Sequence, residues 1–260
     1  MLSALLVFLQ AASPAAAQHL PTLNEVQFTE CLDLARKDAP SAIIDASLWT
    51  QQGGGYLALA CHGFALASDF KFDLASSVFA EAAKGAAEKG DARASRFWAQ
   101  AGNSAIAAGQ PEIALDALNK ALAATTLNNA ERADSEIDRA RALVAMDMSA
   151  DAEKSLTTAR QMSPENGTAW LLSATLARRL SKLPDALAYI QTAASLLSRD
   201  PAVALEAGNI AIAAGDEANA RKQWEQTIAI APNSRQADSA QAQLAALNLT
   251  ATRPAEPQSR

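Results

Sequence analysis

Few side chains in this sequence have chemical reach. Two cysteines, Cys31 and Cys61, lie 30 residues apart, and two histidines, His19 and His62, are the only imidazoles. Cys61 and His62 are sequence neighbours. On a helix such neighbours diverge by about 100°, so they do not converge on one metal ion or one substrate. No H-E-x-x-H, G-x-S-x-G, P-loop or Cys-x-x-Cys spacing occurs anywhere in the chain. The glycine run at 53–55 is not followed by the Lys-Ser/Thr of a phosphate loop and reads as a flexible join. The expectation is a protein that is not an enzyme and needs no cofactor or metal. The remaining chemistry is that of recognition: arginines able to hold carboxylates in a bidentate fork, and asparagines able to donate and accept at once. An even cysteine count also permits one disulfide.

Whether these groups converge depends on the elements that carry them. Half of the 260 residues are apolar but only 5% are aromatic, and 64 are alanine, the strongest helix former. Period-two runs of β-branched residues are absent, so the chain reads as all-helical with closely approaching helices. The net charge of −6 argues against a nucleic-acid partner, which calls for a basic face. No apolar run reaches the 18 or more residues of a membrane span.

The phrase AGNSAIAAGQ at 101–110 returns as AGNIAIAAGD at 207–216, 106 residues on. That distance is three periods of 34 plus four. Ala152, Ala186 and Ala220 recur at 34, and the windows 133–166, 167–200 and 201–234 share one frame. Ala114 takes the same place in a window at 95–128, four residues out of step. Further windows fit at 56–89 and, in degenerate form, at 23–55. Each divides at a polar break, such as GQP at 109–111 or GDE at 215–217, into two helical stretches. Mid-helix Gly102 and Gly208 cost about 1 kcal/mol each against alanine and are expected where another backbone comes close. The large Trp98, Trp170 and Trp224 are expected to fill the wider gaps of the core.

This frame resembles the tetratricopeptide repeat, a 34-residue helix–turn–helix unit. Trp98 and Trp170 match its opening aromatic and Gly102 and Gly208 its glycine. Ala114, Ala152, Ala186 and Ala220 match the tight alanine of its second helix, Phe79 and Trp224 the later aromatic, and Pro164 and Pro232 the closing proline. The tyrosine position departs, holding Ala105, Leu143, Ala177 and Ala211. The resemblance implies a right-handed superhelical solenoid of about six units over 23–249, with 235–249 as a capping helix against solvent. It also implies a concave groove lined by the first helices. Arg96, Asn103, Arg141, Arg178, Arg179 and Asn209 are the candidate groove residues. They point to a protein or peptide partner with an acidic segment or a C-terminal carboxylate. The lysine-bearing carboxylate clamp of some chaperone-binding members is not matched.

Cys31 and Cys61 fall in the first helices of neighbouring units, one turn out of register, so a disulfide between them is a candidate. Two buried free thiols are the alternative. Residues 1–17 read as a signal peptide: an apolar run from Leu2 to Leu9, then Ala15-Ala16-Ala17 before Gln18, although no Lys or Arg precedes the run. Residues 18–22 then form a short linker, and 250–260, with two prolines, a disordered tail. The functional expectation is an exported interaction scaffold, periplasmic in a Gram-negative host. A self-associating envelope protein is the alternative, and an enzyme without a recognisable motif the remote one.

Overall fold

A computed structural model describes residues 22–251, which form thirteen α-helices and no strand among the described residues. The expected signal peptide lies outside the described residues. So do the expected linker and tail, save for Thr22, which caps the first helix, and residues 250–251, which extend the last.

The helices alternate as first and second members of six pairs. They are α1 (Leu23–Lys37) with α2 (Ala39–Gln51), α3 (Gly55–Ser68) with α4 (Phe72–Glu88), α5 (Ala94–Ala107) with α6 (Pro111–Ala123), α7 (Asn129–Ala145) with α8 (Ser149–Met162), α9 (Gly167–Arg179) with α10 (Leu183–Leu196), and α11 (Pro201–Ala213) with α12 (Glu217–Ile230). α13 (Arg235–Ala251) closes the stack on α12 and α11. Successive first helices α5, α7, α9 and α11 pack on one another.

Local chemistry explains the boundaries. Thr22 and Asn128 form capping boxes with Glu25 and Glu131. Asp38, Asn166, Asp200 and Asp216 accept backbone N–H groups at other helix starts. From α3 onward, each turn inside a pair is three residues long, and its middle residue has positive φ: Phe70, Gly109, Asp147, Ser181 and Gly215. The next N–H reaches back to a first-helix carbonyl, as from Gln110 to Ala105 (2.9 Å) and from Asp216 to Ala211 (2.9 Å). This is the Schellman closure. Phe70 adopts it with φ 59° and an 80% exposed ring, an uncommon place for a bulky side chain.

Inside each pair from α3 onward the core is a hole and a knob sixteen residues apart. A Cβ on Gly63 would meet the Phe79 ring at 2.8 Å. On Gly102 it would meet Leu118 at 2.5 Å, and on Gly208 the Trp224 indole at 2.5 Å. In the intervening units Ala140 faces Leu156 and Ala174 faces Ile190 within common core clusters. The mid-helix glycines therefore admit a side chain of the second helix. The neighbouring backbone that was expected also comes close at Gly102, where the Ala114 carbonyl oxygen would lie 3.2 Å from the added Cβ, whereas at Gly208 the nearest atoms all belong to the Trp224 indole. Of the three tryptophans expected in the core, Trp224 is buried. Trp98 and Trp170 are half-buried, with Lys120 over one ring at 4.6 Å and Arg160 over the other at 5.1 Å.

The four residues that break the 34-residue period, 129–132, form the first turn of α7. Arg132 in that turn donates to the carbonyls of Leu122 (3.0 Å) and Ala124 (2.8 Å), satisfying the C-terminal end of α6. Cys31 and Cys61 are disulfide-bonded, with Cα atoms 6.1 Å apart, and join α1 to α3. The same junction holds Tyr56, whose hydroxyl donates to Asp91, and Arg93, which donates to both Asp91 oxygens. Arg93 and then Tyr56 hold the Asp91 carboxyl well below the usual carboxylate range.

Candidate interaction groove

The first helices bring together some of the candidate residues. Arg96 and Asn103 on α5 and Arg141 on α7 line a pocket of about 480 Å³, completed by Asn166 and Thr168 at the start of α9. A smaller pocket of about 180 Å³ adjoins it. It shares Arg141, adds Arg179, and is otherwise mostly apolar, with Leu172 and Leu176 among its walls. Thus four of the six selected residues, from three successive units, border one continuous stretch of groove.

The other two stand apart from it. Arg178 donates through Nε and Nη2 to the two oxygens of buried Glu206 (2.6 and 3.2 Å), and Asn209 Nδ2 donates to the same carboxylate (3.5 Å). Asn209 Oδ1 accepts the Trp224 indole N–H at 3.2 Å. Both ends of its amide make contacts inside the fold, and the residue is half-buried. Asn103 occupies the same repeat position but has Leu118 as the knob below it, which offers no N–H. It is exposed, and its Nδ2 reaches Asp138 on α7 at 2.8 Å.

The arginines are not free either. Arg96 forks onto Glu131 (2.5 and 3.2 Å) and Arg141 pairs with Asp138 (2.5 Å). Arg96 holds the Glu131 carboxyl below the usual carboxylate range. Arg96 on Glu131, Asn103 on Asp138, Asn166 on Asp134 (2.9 Å) and Arg178 on Glu206 form rungs between first helices of successive units, whereas Arg141 and Asp138 pair within α7. The larger pocket carries two arginines and three carboxylates, Glu131, Asp134 and Asp138. It therefore has no excess positive charge with which to receive the acidic segment expected of the partner.

Sequence reasoning missed the carboxylates. Their signal was spacing: Glu131 and Asp138 each follow their α5 partner by 35 residues, close to one period. It also missed Glu136, which stands 34 residues before Trp170 and so takes the opening-aromatic position of its unit. Glu136 is buried, its Oε2 lies 2.9 Å from Arg139, and that oxygen accepts no well-directed hydrogen bond. Burial pushes its carboxyl above the ordinary value, with Arg139 opposing. Among the described residues no three His, Cys, Asp or Glu side chains cluster as metal ligands would, and no helix is long and apolar enough to cross a membrane.

Residues 137–202 and 173–235 match a family model described as tetratricopeptide repeat. No curated protein sequence matches significantly. Among solved structures the chain is similar to PilW, titled a widely conserved type IV pilus biogenesis factor, with 18% identity and TM-score 0.70 over 86% of this chain and 100% of that one. It is similar to pilF of Pseudomonas aeruginosa, at 17% identity and TM-score 0.66 over 85% and 99%. A third is YrrB, titled a TPR protein with an unusual peptide-binding site, at 18% identity and TM-score 0.52 over 83% and 97%. The chain folds as a tetratricopeptide-type helical solenoid, and residues 137–235 carry the sequence signature of the tetratricopeptide repeat family.

Proposed function

We propose that this protein is a non-catalytic interaction scaffold that holds a peptide segment or helix of a protein partner in the groove of α5, α7 and α9. We propose further that it is exported, and periplasmic in a Gram-negative host. Tetratricopeptide folds serve protein–protein interaction, and one observation carries the reading to a place. Side chains from three successive units line two adjoining pockets that share Arg141. A single stretch of partner can therefore touch several units at once, which is how a repeat stack gains affinity from individually weak contacts. Export is supported by the leader-like sequence at 1–17 and by the disulfide, which persists in oxidising compartments.

The test is photocrosslinking in the native host from a reactive residue at Gln100 in the groove, with Glu81 on α4 as control. A partner captured from Gln100 but not from Glu81 supports the groove. Equal capture from both, or none from Gln100, removes it. Cell fractionation decides localisation, and cytoplasmic protein of full mass counts against export.

Self-association is favoured by a separate observation. The exposed Phe70 ring stacks edge-on against Phe72 at 6.0 Å, with half-exposed Leu74 nearby in sequence, an apolar spot suited to a second copy. Light scattering over a hundredfold concentration range distinguishes this reading, since a constant monomer mass excludes it.

A further inference from the structure

We propose that the larger pocket takes an extended peptide segment bearing a lysine or arginine, with that cation seated on Asp134. This rests on the groove reading above and names the chemistry of the occupant. The reasoning is one of charge already committed. Arg96 is bound in a two-bond fork to Glu131. Arg141 is paired with Asp138, whose other oxygen accepts Asn103. Asp134 stands between these pairs on α7, three residues after Glu131 and four before Asp138, on the same helical face. It is exposed, and its only hydrogen bond among the described residues comes from Asn166 Nδ2 to Oδ1. No described cation pairs with it. The pocket's net charge of −1, two arginines against three carboxylates, therefore resides on a side chain at the middle of the wall, with Oδ2 open.

An acidic side chain entering here would face Asp134 directly and meet arginines whose charge is already matched by Glu131 and Asp138. A lysine or arginine needs no such rearrangement: its N–H groups donate to the open oxygen while both existing pairs stay intact. Gln100, Asn103 and Thr168 around the same cavity supply neutral donors and acceptors for the main chain on either side. Leu127 and Ile137 give an apolar wall for the aliphatic stem of the cation.

The experiment is an NMR titration of the ¹⁵N-labelled protein with three blocked heptapeptides, Ala-Ala-Ser-X-Ser-Ala-Ala, where X is lysine, glutamine or glutamate. The lysine peptide should move the Asp134, Asp138 and Asn103 amides saturably and bind roughly fivefold tighter than the glutamine peptide, the range of a partly exposed ion pair. The preference should shrink in Asp134→Asn, survive in Asp134→Glu, and weaken in added salt. Circular dichroism of each variant checks that it is folded. No saturable shift with the lysine peptide, a preference for the glutamate peptide, or full lysine preference in folded Asp134→Asn overturns the proposal. If a partner crosslinks from Gln100 and that capture is unchanged in Asp134→Asn, the groove stands and the cation reading falls. If nothing crosslinks from Gln100, the groove reading itself falls.

Discussion

Replacing Gly208 with alanine sets two physical effects against each other with opposite signs. Helix propensity alone favours the change: an interior glycine costs about 1 kcal/mol relative to alanine. The hole-and-knob core opposes it. The added methyl would lie 2.5 Å from both Cδ1 and Nε1 of Trp224, well inside van der Waals contact. The indole is 1% exposed and its N–H is tied to Asn209, so a rigid ring would have to shift by about 1 Å in a filled core. Overpacking of this kind costs about 1–3 kcal/mol, and a ring with no free direction belongs at the upper end. The expected net effect is a loss of about 2 kcal/mol, or about 4–8 °C in Tm for a chain of this size. Trp224→Leu should compensate in part, because alanine over leucine is the arrangement already present at Ala140 and Leu156. The assay is urea unfolding of wild type, both single variants and the double variant, followed by far-UV circular dichroism. The expected coupling between the sites is about 1–2 kcal/mol. If Gly208→Ala is stabilised by about 1 kcal/mol, as propensity alone requires, or if the two changes add without coupling, the packing argument is refuted.

Further outcomes follow from other contacts. Closing a 30-residue loop is worth about 3.6 kcal/mol in the chain-entropy model, so Cys31→Ser with Cys61→Ser should free the first unit locally. Hydrogen exchange should quicken in α1 and α2 and stay unchanged in α9 to α12, whereas uniform change would contradict a local role. Arg132→Ala leaves two half-buried carbonyls without their charged donor and should cost about 2 kcal/mol. A loss below 0.5 kcal/mol in urea unfolding would show that water replaces the guanidinium. The Glu136 carboxyl is raised in the folded state, so the fold holds its proton better than the unfolded chain does. Its contribution is full below the ordinary carboxyl range and is lost as pH rises through the elevated folded value. Glu136→Gln should accordingly be more stable than wild type at pH 7, and the gap should close as pH falls toward 4. A gap that widens on acidification would reverse the assignment.

The repeat was legible because position within a unit is written in small residues. Ala152, Ala186 and Ala220 keep one spacing, and the alanines and glycines of the pair interface tolerate little else. The cysteine spacing was legible for the same reason, since the frame placed both on adjacent first helices. The groove was legible only as positions. Asn103 and Asn209 share a letter and a phase, yet the side chain fifteen residues away decides whether the amide reaches outward or is held by an indole. The arginines were found but their carboxylates were not. The pairs of Arg96 with Glu131 and of Arg178 with Glu206 cross a unit boundary, and their offset depends on how one unit sits on the next. The four-residue break looked like an insertion between units, but a capping box at Asn128 turns it into helix, and only the fold shows Arg132 closing the end of α6.

The paired hole and knob also constrain how such a chain can be cut and rejoined. From α3 onward each first helix is fitted to the second helix of its own unit, as through Gly63 with Phe79, Gly102 with Leu118, and Gly208 with Trp224. A crossover between units moves both members together and leaves every fit intact. A crossover at the turn inside a unit would set Ala140 against the Trp224 indole or leave Gly208 over Leu156, a collision in one hybrid and a void in the other. The chain is thus divisible at some joints and not at others. Gain or loss of whole 34-residue blocks keeps these paired fits and confines repacking to the junctions between units.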